Sequence, residues 1–515
     1  MTKISDSMTT ALQLHQQGRL QEAEQIYHQI LLLQPNHADA LHFLGMIAAQ
    51  NGRPGMAIDL MTRSIALSCN VPAFHSNLGK VHKDLGDIEQ TISCYRRALE
   101  LNPEDAEAHS KLLLHLGLGF SSEQSIHDEH CRWNERHALP LAQFIQPHLN
   151  HPRPERRLRI GYVSPDFYNH PVGRFMRPLL ESHDHENFDI VCYSDAKNTD
   201  SNTDHCRAQT NLWRDIQGLS NEQLDQIVRQ DRIDILVDLA MHTAGNRLLL
   251  FARKPAPVQV TYLAYPGTTG LKTIDYRITD SYLDPPGQDD RYYSEKSVRL
   301  PETYWCYPPP PEAPPVCALP ALENRYITFG CLNNYCKVNS PTFKTWGALL
   351  NAVQNARLLL HARPGAHRDR VRSLLSEQGI APERLMFVDS LPLEKYFQSY
   401  HQIDLALDPF PCGGGTTTCD ALWMGVPVVS LAGQRAVGRG GLSILSNLGM
   451  PELVAQNVEQ YVQIAANLAS DLPRLSRIRM GLRDQMLASP LMDAPRFARN
   501  VETAYREMWH RWCTK

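Results

Sequence analysis

The sequence has no long hydrophobic run and no excess of charge of one sign, and each absence excludes a class of protein. No apolar stretch approaches the roughly 18 residues that a membrane span needs. The 51 Lys and Arg nearly balance the 55 Asp and Glu, and the net charge of −4 argues against broad nucleic-acid binding, which needs a basic surface. We therefore predict no membrane span and no nucleic-acid partner, while a small basic pocket for one phosphorylated ligand stays compatible with these numbers.

Cysteine is sparse, and no two cysteines form a C-x-x-C pair. Because the 12 cysteines are scattered over 515 residues, they predict neither a disulfide framework nor a zinc site. The polar start, from Met1 to Asp6, predicts no secretory signal. We expect buried thiols in a reducing cytoplasm.

The first 110 residues repeat with a period of 34. Three glycines recur at this spacing, and each is followed by a small residue and then by a larger one. The three sets are Gly18, Gly52 and Gly86; Ala23, Ala57 and Thr91; and Tyr27, Met61 and Tyr95. The pattern predicts helix pairs that turn at glycine, cross closely at the small residue and fill the gap with the large one.

This pattern resembles the tetratricopeptide repeat, and we assign about three units to residues 1–115. Stacked units present a concave surface that suits a peptide or a partner protein. The alternative is that the repeats serve only as a contact between copies or as a structural cap. The sequence leaves homo-oligomer formation open.

Beyond residue 157, short β-branched runs alternate with helical stretches, which predicts doubly wound parallel sheets. Candidate strands lie at 158–163, 188–193, 233–239, 258–262, 276–278, 326–331, 357–361, 385–388, 405–408 and 427–431. A proline-rich linker at 301–322 separates two lobes. We place connecting helices at 116–156, the lobes at 157–300 and 323–490, and a last helix at 491–515. In such sheets the default binding site is the cleft at the carboxyl ends of the strands.

The sharpest motif is DPFPCGGGTTTCD at residues 408–420, where a strand leads through glycines into a helix. Gly414 and Gly415 let the backbone approach an anion, and Thr416 and Thr417 add hydroxyl donors at a helix N-terminus. Asp420, one turn later, is placed to accept from ribose hydroxyls. The motif predicts a nucleoside diphosphate site, and no Lys follows the glycines as in a P-loop. The alternative is an ordinary glycine-rich turn capped by threonine.

Four further clusters follow predicted strands. Lys337 is placed to neutralise a leaving diphosphate, unless it is a solvated loop lysine. Asp166 and His170 share one loop and are candidates to orient an acceptor hydroxyl and handle its proton. The turn at 264–270 is suited to wrap a sugar. Arg247 is a candidate to contact a phosphate; the alternative is that its stretch is only the start of a surface helix.

Together with the repeats, these motifs resemble the protein O-linked N-acetylglucosamine transferases, glycosyltransferase family 41, and most closely their compact bacterial members. The resemblance covers nearly the whole chain, in the same order. It implies a GT-B fold, in which two Rossmann-like lobes follow the helical repeats. It also implies a UDP-sugar donor, no cofactor or metal, and inverting transfer of a sugar, with N-acetylglucosamine expected, to Ser or Thr of proteins bound along the repeat groove.

The resemblance also assigns roles to residues. It implies catalytic roles for His170, Asp166 and Lys337. The UDP-binding positions are Asn334, Lys337, Gly414, Gly415, Thr416, Thr417 and Asp420. The sugar-binding positions are Leu263, Ala264, Pro266 and Cys412, and Arg247 matches an arginine near the site.

Some positions depart from the family pattern and keep alternatives open. Animal members have His at the position of Gly415 and Gln at that of Asn334. Where animal members have Lys, His and Arg on the uracil side of the site, this chain has Leu393, Tyr396 and Ser399. These changes keep open a donor that carries glucose or fucose, or an Asn acceptor. A non-catalytic repeat scaffold is the alternative from a different class.

Overall fold

The computed structural model describes residues 2–514, so Met1 and Lys515, the outer ends of two predicted ranges, lie outside the described residues. The first part of the chain forms antiparallel helix pairs. These helices are α1 (Thr2–Gln16), α2 (Leu20–Leu33), α3 (Ala38–Gln50), α4 (Pro54–Leu67), α5 (Pro72–Asp84), α6 (Ile88–Leu101), α7 (Ala106–Leu118) and α8 (Glu123–Trp133).

The repeat positions do what the period predicts. Gly18, Gly52 and Gly86 have φ of 76°, 71° and 71°, the left-handed region that favours glycine. The small residues Ala23 and Ala57 are fully buried where helices cross. The larger residues that follow them, Tyr27, Met61 and Tyr95, are buried between neighbouring helices.

A π-helical turn (Asn134–Ala138) and a 3-10 helix (Leu139–Phe144) lead into the first sheet. Its parallel strands run in the order β3-β2-β1-β4-β5-β6-β7, with Leu158 opposite Phe188 and Ile160 opposite Ile235. The strands are β1 (Leu158–Ser164), β2 (Phe188–Ser194), β3 (Leu212–Asp215), β4 (Ile235–Asp238), β5 (Val258–Thr261), β6 (Tyr276–Asp280) and β7 (Lys296–Leu300). The helices are α9 (Pro171–Ser182), α10 (Ser201–Ala208), α11 (Asn221–Gln230) and α12 (Leu248–Phe251).

The second lobe has a parallel sheet in the order β10-β9-β8-β11-β12-β13. Its strands are β8 (Thr328–Cys331), β9 (Arg357–His361), β10 (Leu385–Val388), β11 (Leu405–Leu407), β12 (Val428–Leu431) and β13 (Val454–Ala455). The helices are α13 (Pro320–Asn324), α14 (Ser340–Ala352), α15 (Ala366–Ser376), α16 (Leu393–Ser399), α17 (Thr416–Trp423), α18 (Gly440–Asn447), α19 (Val458–Ser470), α20 (Leu472–Leu487) and α21 (Ala494–Cys513). The predicted fold class, helical repeats followed by two Rossmann-like lobes, is confirmed.

The sequence pattern did not predict three of the strands, β3, β7 and β13, which all lie at sheet edges. The central strand β4 is buried throughout and is therefore a continuous apolar run. The edge strands β3 and β7 instead carry charged and half-buried residues, and β13 has two residues. These three strands lack the apolar run that reveals a central strand, whereas the edge strand β10 has one (LMFV) and was predicted.

The proline-rich linker is packed between the lobes. Tyr304, Trp305 and Tyr307 are all buried, and the Tyr307 amide donates to the Leu491 carbonyl at 2.7 Å. These aromatic side chains join the hydrophobic core. The linker therefore forms part of the interface between the lobes.

Helix α21 crosses back from the second lobe to the first. Glu502 lies 2.8 Å from Nδ1 of the buried His183, and the Trp509 indole donates to the Arg153 carbonyl at 3.0 Å. Trp512 stacks on Trp509 with 4.6 Å between ring centroids. The final helix thus ties the two lobes together. Among the described helices, none combines the length and the apolar character required to span a bilayer.

The repeats contact both lobes. In the first lobe, His242 Nδ1 lies 3.0 Å from the Ser110 hydroxyl on α7. In the second lobe, His367 Nε2 lies 2.7 Å from the Asp84 carbonyl at the end of α5. The three parts of the chain therefore meet at one place.

Candidate functional site

A cavity of about 740 Å³ lies where the repeats meet both lobes. Its walls are α5, α7, the loops that follow β1, β4, β5, β8 and β11, and part of the linker. These loops leave the carboxyl ends of parallel strands, where ligands bind in such sheets. Most predicted site residues line the cavity: His170, Leu263, Ala264, Pro266, Asn334, Lys337, Cys412, Gly414, Gly415, Thr416 and Thr417.

The glycine-threonine turn wraps around the buried carboxylate of Asp408, which directly follows β11. Its Oδ1 accepts from the Gly414 amide at 3.3 Å and from the Thr418 hydroxyl at 3.0 Å. Burial raises the pKa of Asp408, while the hydrogen bonds that it accepts oppose that shift. Because one side chain holds both ends of the turn, the backbone between them has a defined shape.

Gly414 and Gly415, two of the three cavity-lining glycines of this turn, differ in the space around them. A Cβ atom on Gly414 would lie 2.3 Å from Thr418 Oγ1 and 2.6 Å from Thr417 Oγ1. A Cβ atom on Gly415 would meet nothing closer than Trp305 at 3.6 Å, which is ordinary contact. Gly414 is therefore required for close packing, whereas Gly415 has room for a side chain.

Helix α17 begins at this turn with Gly415 as its N-cap, which supplies no side-chain hydrogen bond to the first turn. The Thr417 hydroxyl donates to Asn333 Oδ1 at 2.8 Å, which links the helix start to the loop after β8. Both Thr416 and Thr417 line the cavity. The positive end of the helix dipole and its free amides therefore face the cavity.

Lys337 lies against the same turn. It ends a short 3-10 helix (Tyr335–Lys337), and its Nζ donates to the Gly413 carbonyl at 2.8 Å. Burial lowers the pKa of Lys337, but the sulfurs of Cys412 and Cys336 and the Asp408 carboxylate outweigh that effect and leave the pKa raised. The structure thus brings a protonated ammonium group and the glycine-threonine turn together at the floor of the cavity.

Asn334 has a local role in positioning that lysine. Its Oδ1 accepts from the Cys336 amide at 3.3 Å, which closes the turn that precedes Lys337. Cys412, on the facing loop, is buried and lies next to the Gly413 carbonyl, with its Sγ 3.9 Å away.

His170 and Asp166 lie in the loop between β1 and α9. His170 is the N-cap of α9, and its Nδ1 accepts from the Val172 amide at 3.4 Å. Burial lowers the pKa of His170 to about 4 and raises the pKa of Asp166 to about 6. The neutral imidazole that accepts at Nδ1 carries its proton on Nε2. Asp166 Oδ2 lies 3.6 Å from His170 Nδ1, and Asp166 itself does not line the cavity.

The strip predicted for the sugar follows β5. Leu263 has φ of 72°, a strained value for a branched side chain, and its carbonyl accepts a short hydrogen bond from the Tyr304 hydroxyl. Ala264 and Pro266 follow it along the cavity wall. The linker residue Tyr304 thus holds the strip in its conformation.

Asp420 is placed differently from the other predicted residues. It lies behind the turn and is buried, and its Oδ1 accepts from Arg174 Nη2 at 2.8 Å and from the Tyr307 hydroxyl at 2.6 Å. Burial opposes the charge of Arg174, but Asp420 outweighs that effect, so the pKa of Arg174 is raised. Because Arg174 belongs to the first lobe and Asp420 to the second, this ion pair joins the lobes. The ribose contact of Asp420 stays a prediction.

Arg247 is likewise not among the described residues that line the cavity. Its Nε lies 2.8 Å from Asp195 Oδ2, and its Nη1 donates to the Leu219 carbonyl at 2.9 Å. The arginine therefore holds two loops of the first lobe together. Its neighbour Asn246 faces the cavity instead.

Sequence reasoning missed several residues that face the cavity. His242 follows β4 and is buried, and its Nε2 lies 2.9 Å from the Thr269 carbonyl. Burial lowers the pKa of His242 well below its usual value. Trp305 of the linker is another. Further lining residues come from the repeats: Ser76, Asn77, Lys80, Lys83, Tyr95, Glu107, Ser110, Lys111, Leu114, His115 and Leu118. No local motif marks them as residues of a binding site: the repeat period identifies Tyr95 only as a packing position, and the docking of separate parts brings these residues to one place.

The described side chains do not form a metal site. Within residues 2–514, no group of three or more His, Cys, Asp or Glu side chains has an arrangement that could hold a metal ion. The positive charge next to the turn comes from Lys337 and the start of α17.

Comparisons with known proteins fit this geometry. A model of glycosyl transferase family 41 matches residues 123–307 and 318–501. Tetratricopeptide repeat models match residues 9–68 and 72–105. The matched segments cover the helical repeats and both lobes.

Two plant proteins illustrate the similarity. The chain is 41% identical over 427 residues to a Solanum lycopersicum protein named probable UDP-N-acetylglucosamine--peptide N-acetylglucosaminyltransferase SPINDLY, which covers 81% of this chain and 45% of that protein. It is 34% identical over 373 residues to the Arabidopsis thaliana protein with the same enzyme name and the designation SEC, which covers 70% of this chain and 38% of that protein. The chain spans about half the length of the curated relatives it matches, or less.

A solved structure matches nearly from end to end. It is a mutant of the Thermobaculum terrenum O-GlcNAc transferase, with a TM-score of 0.90 and 37% sequence identity over 100% of this chain and 98% of that one. The family model, the plant relatives and this structure agree. The chain belongs to glycosyl transferase family 41.

Proposed function

We propose that the protein is an inverting glycosyltransferase that moves a sugar, N-acetylglucosamine in the first instance, from a UDP-sugar to Ser or Thr hydroxyls of proteins. One observation carries this proposal: the 2.8 Å contact between Lys337 Nζ and the Gly413 carbonyl. It sets a cation beside a turn whose amides and hydroxyls suit a diphosphate.

In this proposal the diphosphate lies on the turn formed by residues 413–417, and the sugar lies along the strip at 263–266. The volume of about 740 Å³ is in the range of pockets that enclose small ligands. The relatives named above are UDP-N-acetylglucosamine-dependent by their names, which supports the choice of donor.

The chemistry is a single displacement. The acceptor hydroxyl oxygen forms a bond to the anomeric carbon while the bond from that carbon to the β-phosphate oxygen breaks. The electron pair leaves with the phosphate, where Lys337 and the start of α17 stabilise the new negative charge. Attack from the face opposite the leaving group inverts the configuration. These protein groups supply the positive charge, so the proposed reaction needs no metal.

The acceptor proton goes to Asp166 through a water molecule. A carboxyl with a pKa of about 6 is mostly ionised at neutral pH and can act as a general base. His170 accepts at Nδ1, so in this tautomer its Nε2 donates a hydrogen bond into the cavity. The proposal therefore gives His170 an orienting role and Asp166 the proton.

The acceptor enters along the repeats. Side chains of α5 and α7 line the cavity itself, which favours acceptor binding over a purely structural cap or a contact between copies. The reaction belongs in the cytoplasm on this proposal, since all twelve cysteines are free, as expected in a reducing compartment.

The decisive experiment is an intact-mass measurement of candidate acceptor proteins after incubation with the protein and a panel of nucleotide sugars, with a chelator present. An added mass of one N-acetylhexosamine from the UDP donor supports the proposal. A chelator-sensitive reaction would contradict the metal-free mechanism. No added mass from any donor, together with no UDP binding by calorimetry, would favour the repeat scaffold.

One observation justifies the breadth of that panel. The uracil-side positions Leu393, Tyr396 and Ser399 do not line the described cavity. The Tyr396 hydroxyl lies 3.2 Å from Asp420 Oδ2, and Ser399 donates to the Lys395 carbonyl at 2.9 Å. These side chains are engaged within the lobe, so donors carrying glucose or fucose belong in the same assay.

A further inference from the structure

The wall of the cavity that the repeats supply is basic. Lys80 and Lys83 lie one turn apart on α5, and Lys111 lies on α7. Lys111 follows Asn77, another cavity-lining residue of α5, by one repeat length of 34 residues. The three lysines therefore belong to equivalent faces of successive repeat units, where the repeat groove opens into the cavity.

The lining of the cavity carries more positive than negative charge, although two of the three lysines have a carboxylate neighbour. Glu107 is the single Asp or Glu among the described residues that line the cavity, and it lies 2.7 Å from Lys111. Lys83 lies 2.8 Å from Asp84, which is not part of the lining. Lys80 is exposed and has no carboxylate within 4 Å in the described chain. With Lys337 included, four lysines and one carboxylate line the cavity, although the whole chain has a net charge of −4.

The neighbouring histidines add no charge at neutral pH. Burial is the main reason that the pKa of His115 is lowered to about 4; the ammonium groups of Lys83 and Lys111 act in the same direction, and the hydrogen bond to the Lys111 carbonyl and the Asp84 carboxylate oppose it. Lys83 and Lys111 come from different repeat units, yet both line the same cavity as His115. The other histidines of the lining, His170 and His242, also have lowered pKa values.

The donor has its own cation at the turn. Lys337 contacts the Gly413 carbonyl, and the start of α17 faces the same space. The repeat lysines stand on the side from which an acceptor arrives. Long exposed side chains of this kind attract an opposite charge without demanding one geometry.

We propose that the acceptor is an acidic segment, in which Asp or Glu residues flank the hydroxyl on the side that leads into the repeats and pair with Lys80, Lys83 and Lys111. This inference rests on the proposed function, because it names the chemical class of the acceptor. Exposed ion pairs are individually weak, so we expect a combined preference of about fivefold to tenfold in affinity. Screening by salt reduces it.

The test uses the full chain, saturated with UDP, and two short fluorescein-labelled peptides. Both carry a central Ser, flanked by Glu in one peptide and by Gln in the other. Fluorescence anisotropy at low salt is expected to show tighter binding of the Glu peptide, and the difference is expected to shrink as salt is added. Equal affinities, or no binding of either peptide, would overturn the inference.

Variants assign the preference to this wall. K80Q/K83Q/K111Q is expected to lose the preference, whereas K197Q/K296Q/K344Q, with the same change of charge at exposed lysines outside the cavity, is expected to keep it. An equal loss in both variants would mean a general charge effect and would contradict the inference.

Calorimetry with UDP separates this inference from the proposed function. We expect both triple variants to bind UDP as the unmodified chain does. A loss of UDP affinity in K80Q/K83Q/K111Q as large as the loss of peptide affinity would assign the lysines to the donor instead. Failure of the unmodified chain to bind UDP would contradict the proposed function, whatever the two peptides do.

Discussion

The two walls of the cavity are built on different principles. On the wall of the second lobe, Asp408, Gly414 and Thr418 form a closely packed, hydrogen-bonded turn with Lys337 against it. On the repeat wall, Lys80 and its neighbours extend long side chains toward solvent. The first arrangement holds its atoms by close packing and hydrogen bonds, and the second supplies charge that adapts to its partner. We therefore expect single changes on the first wall to be severe and single changes on the second to be mild.

The largest expected effect comes from the ion pair that supports the first wall from behind. Arg174→Met leaves the buried Asp420 carboxylate without its cation, and breaking a buried pair in this way costs about 3–5 kcal/mol of unfolding free energy. The matched control is Arg177→Met on the same helix. Its pair with Glu181 is partly exposed, and we expect a loss of about 0.5 kcal/mol. Chemical denaturation measures both. Similar losses in the two variants would mean that the lobes do not depend on this pair.

Lys337→Met is the next largest. Loss of the cation beside the leaving phosphate is expected to reduce the transfer rate about 10²–10³-fold, the size typical for removal of one electrostatic contact in a transition state. Circular dichroism on the same sample serves as the folding control. A variant that transfers sugar at the rate of the unmodified chain would exclude Lys337 from the mechanism.

The third change compares two neighbouring glycines of the turn. Gly414→Ala forces a Cβ to within 2.3 Å of Thr418 Oγ1, and we expect a loss of about 1–3 kcal/mol in stability from overpacking, together with weaker UDP binding. Gly415→Ala places its Cβ 3.6 Å from Trp305, the nearest side chain outside the turn, and is expected to leave the stability of the chain without UDP unchanged. Thermal unfolding with and without UDP measures both. Equal effects would mean that the turn is not held as tightly as the contacts indicate.

The smallest expected effect is a pH dependence of the transfer reaction that comes from Asp166, a residue of the first lobe. The pKa of Asp166 is raised to about 6, so the base is lost as pH falls through 6, and kcat/KM is expected to drop about tenfold per pH unit below that value. His170, with a pKa of about 4, stays neutral over this range and therefore adds no second change to the pH profile of kcat/KM.

Acid unfolding through Asp166 would not explain the expected drop of kcat/KM below pH 6. A folded state with a raised carboxyl pKa binds protons more tightly than the unfolded chain, so the contribution of Asp166 to stability increases as pH falls from 6 toward 4. The expected loss of activity is therefore a loss of the base. In Asp166→Asn the limb near pH 6 should vanish, and a limb that persists in that variant would assign the proton to another group.

The repeat helices and the central strands could be predicted from the sequence because each depends on residues that are close together in the chain. Gly18, Gly52 and Gly86 revealed the repeat period since a turn needs a positive φ. The apolar run at β4 revealed a central strand since it is buried on both faces. The edge strands β3 and β7 have no such signal, and the sequence pattern missed them.

The candidate site divides in the same way. Gly414 and Thr417 are near neighbours in the sequence, so one motif predicted them together. Asp420 belongs to the same motif, but the docking of Arg174 from the other lobe determines where its carboxylate is held. A local pattern carries no information about a partner 246 residues away along the chain.

By itself, the sequence determined the repeat period, the alternation of strand and helix, and the loops that carry the glycine-threonine turn and Lys337, because each depends on neighbours within a few turns of the chain. Only the tertiary structure decided which of these residues face one cavity. The 2.8 Å contact of Lys337 with Gly413, the burial of Asp420 and the three lysines on the repeat wall all depend on how separately folded parts pack against one another. Packing depends on the shapes and charges of whole surfaces, which no single motif encodes.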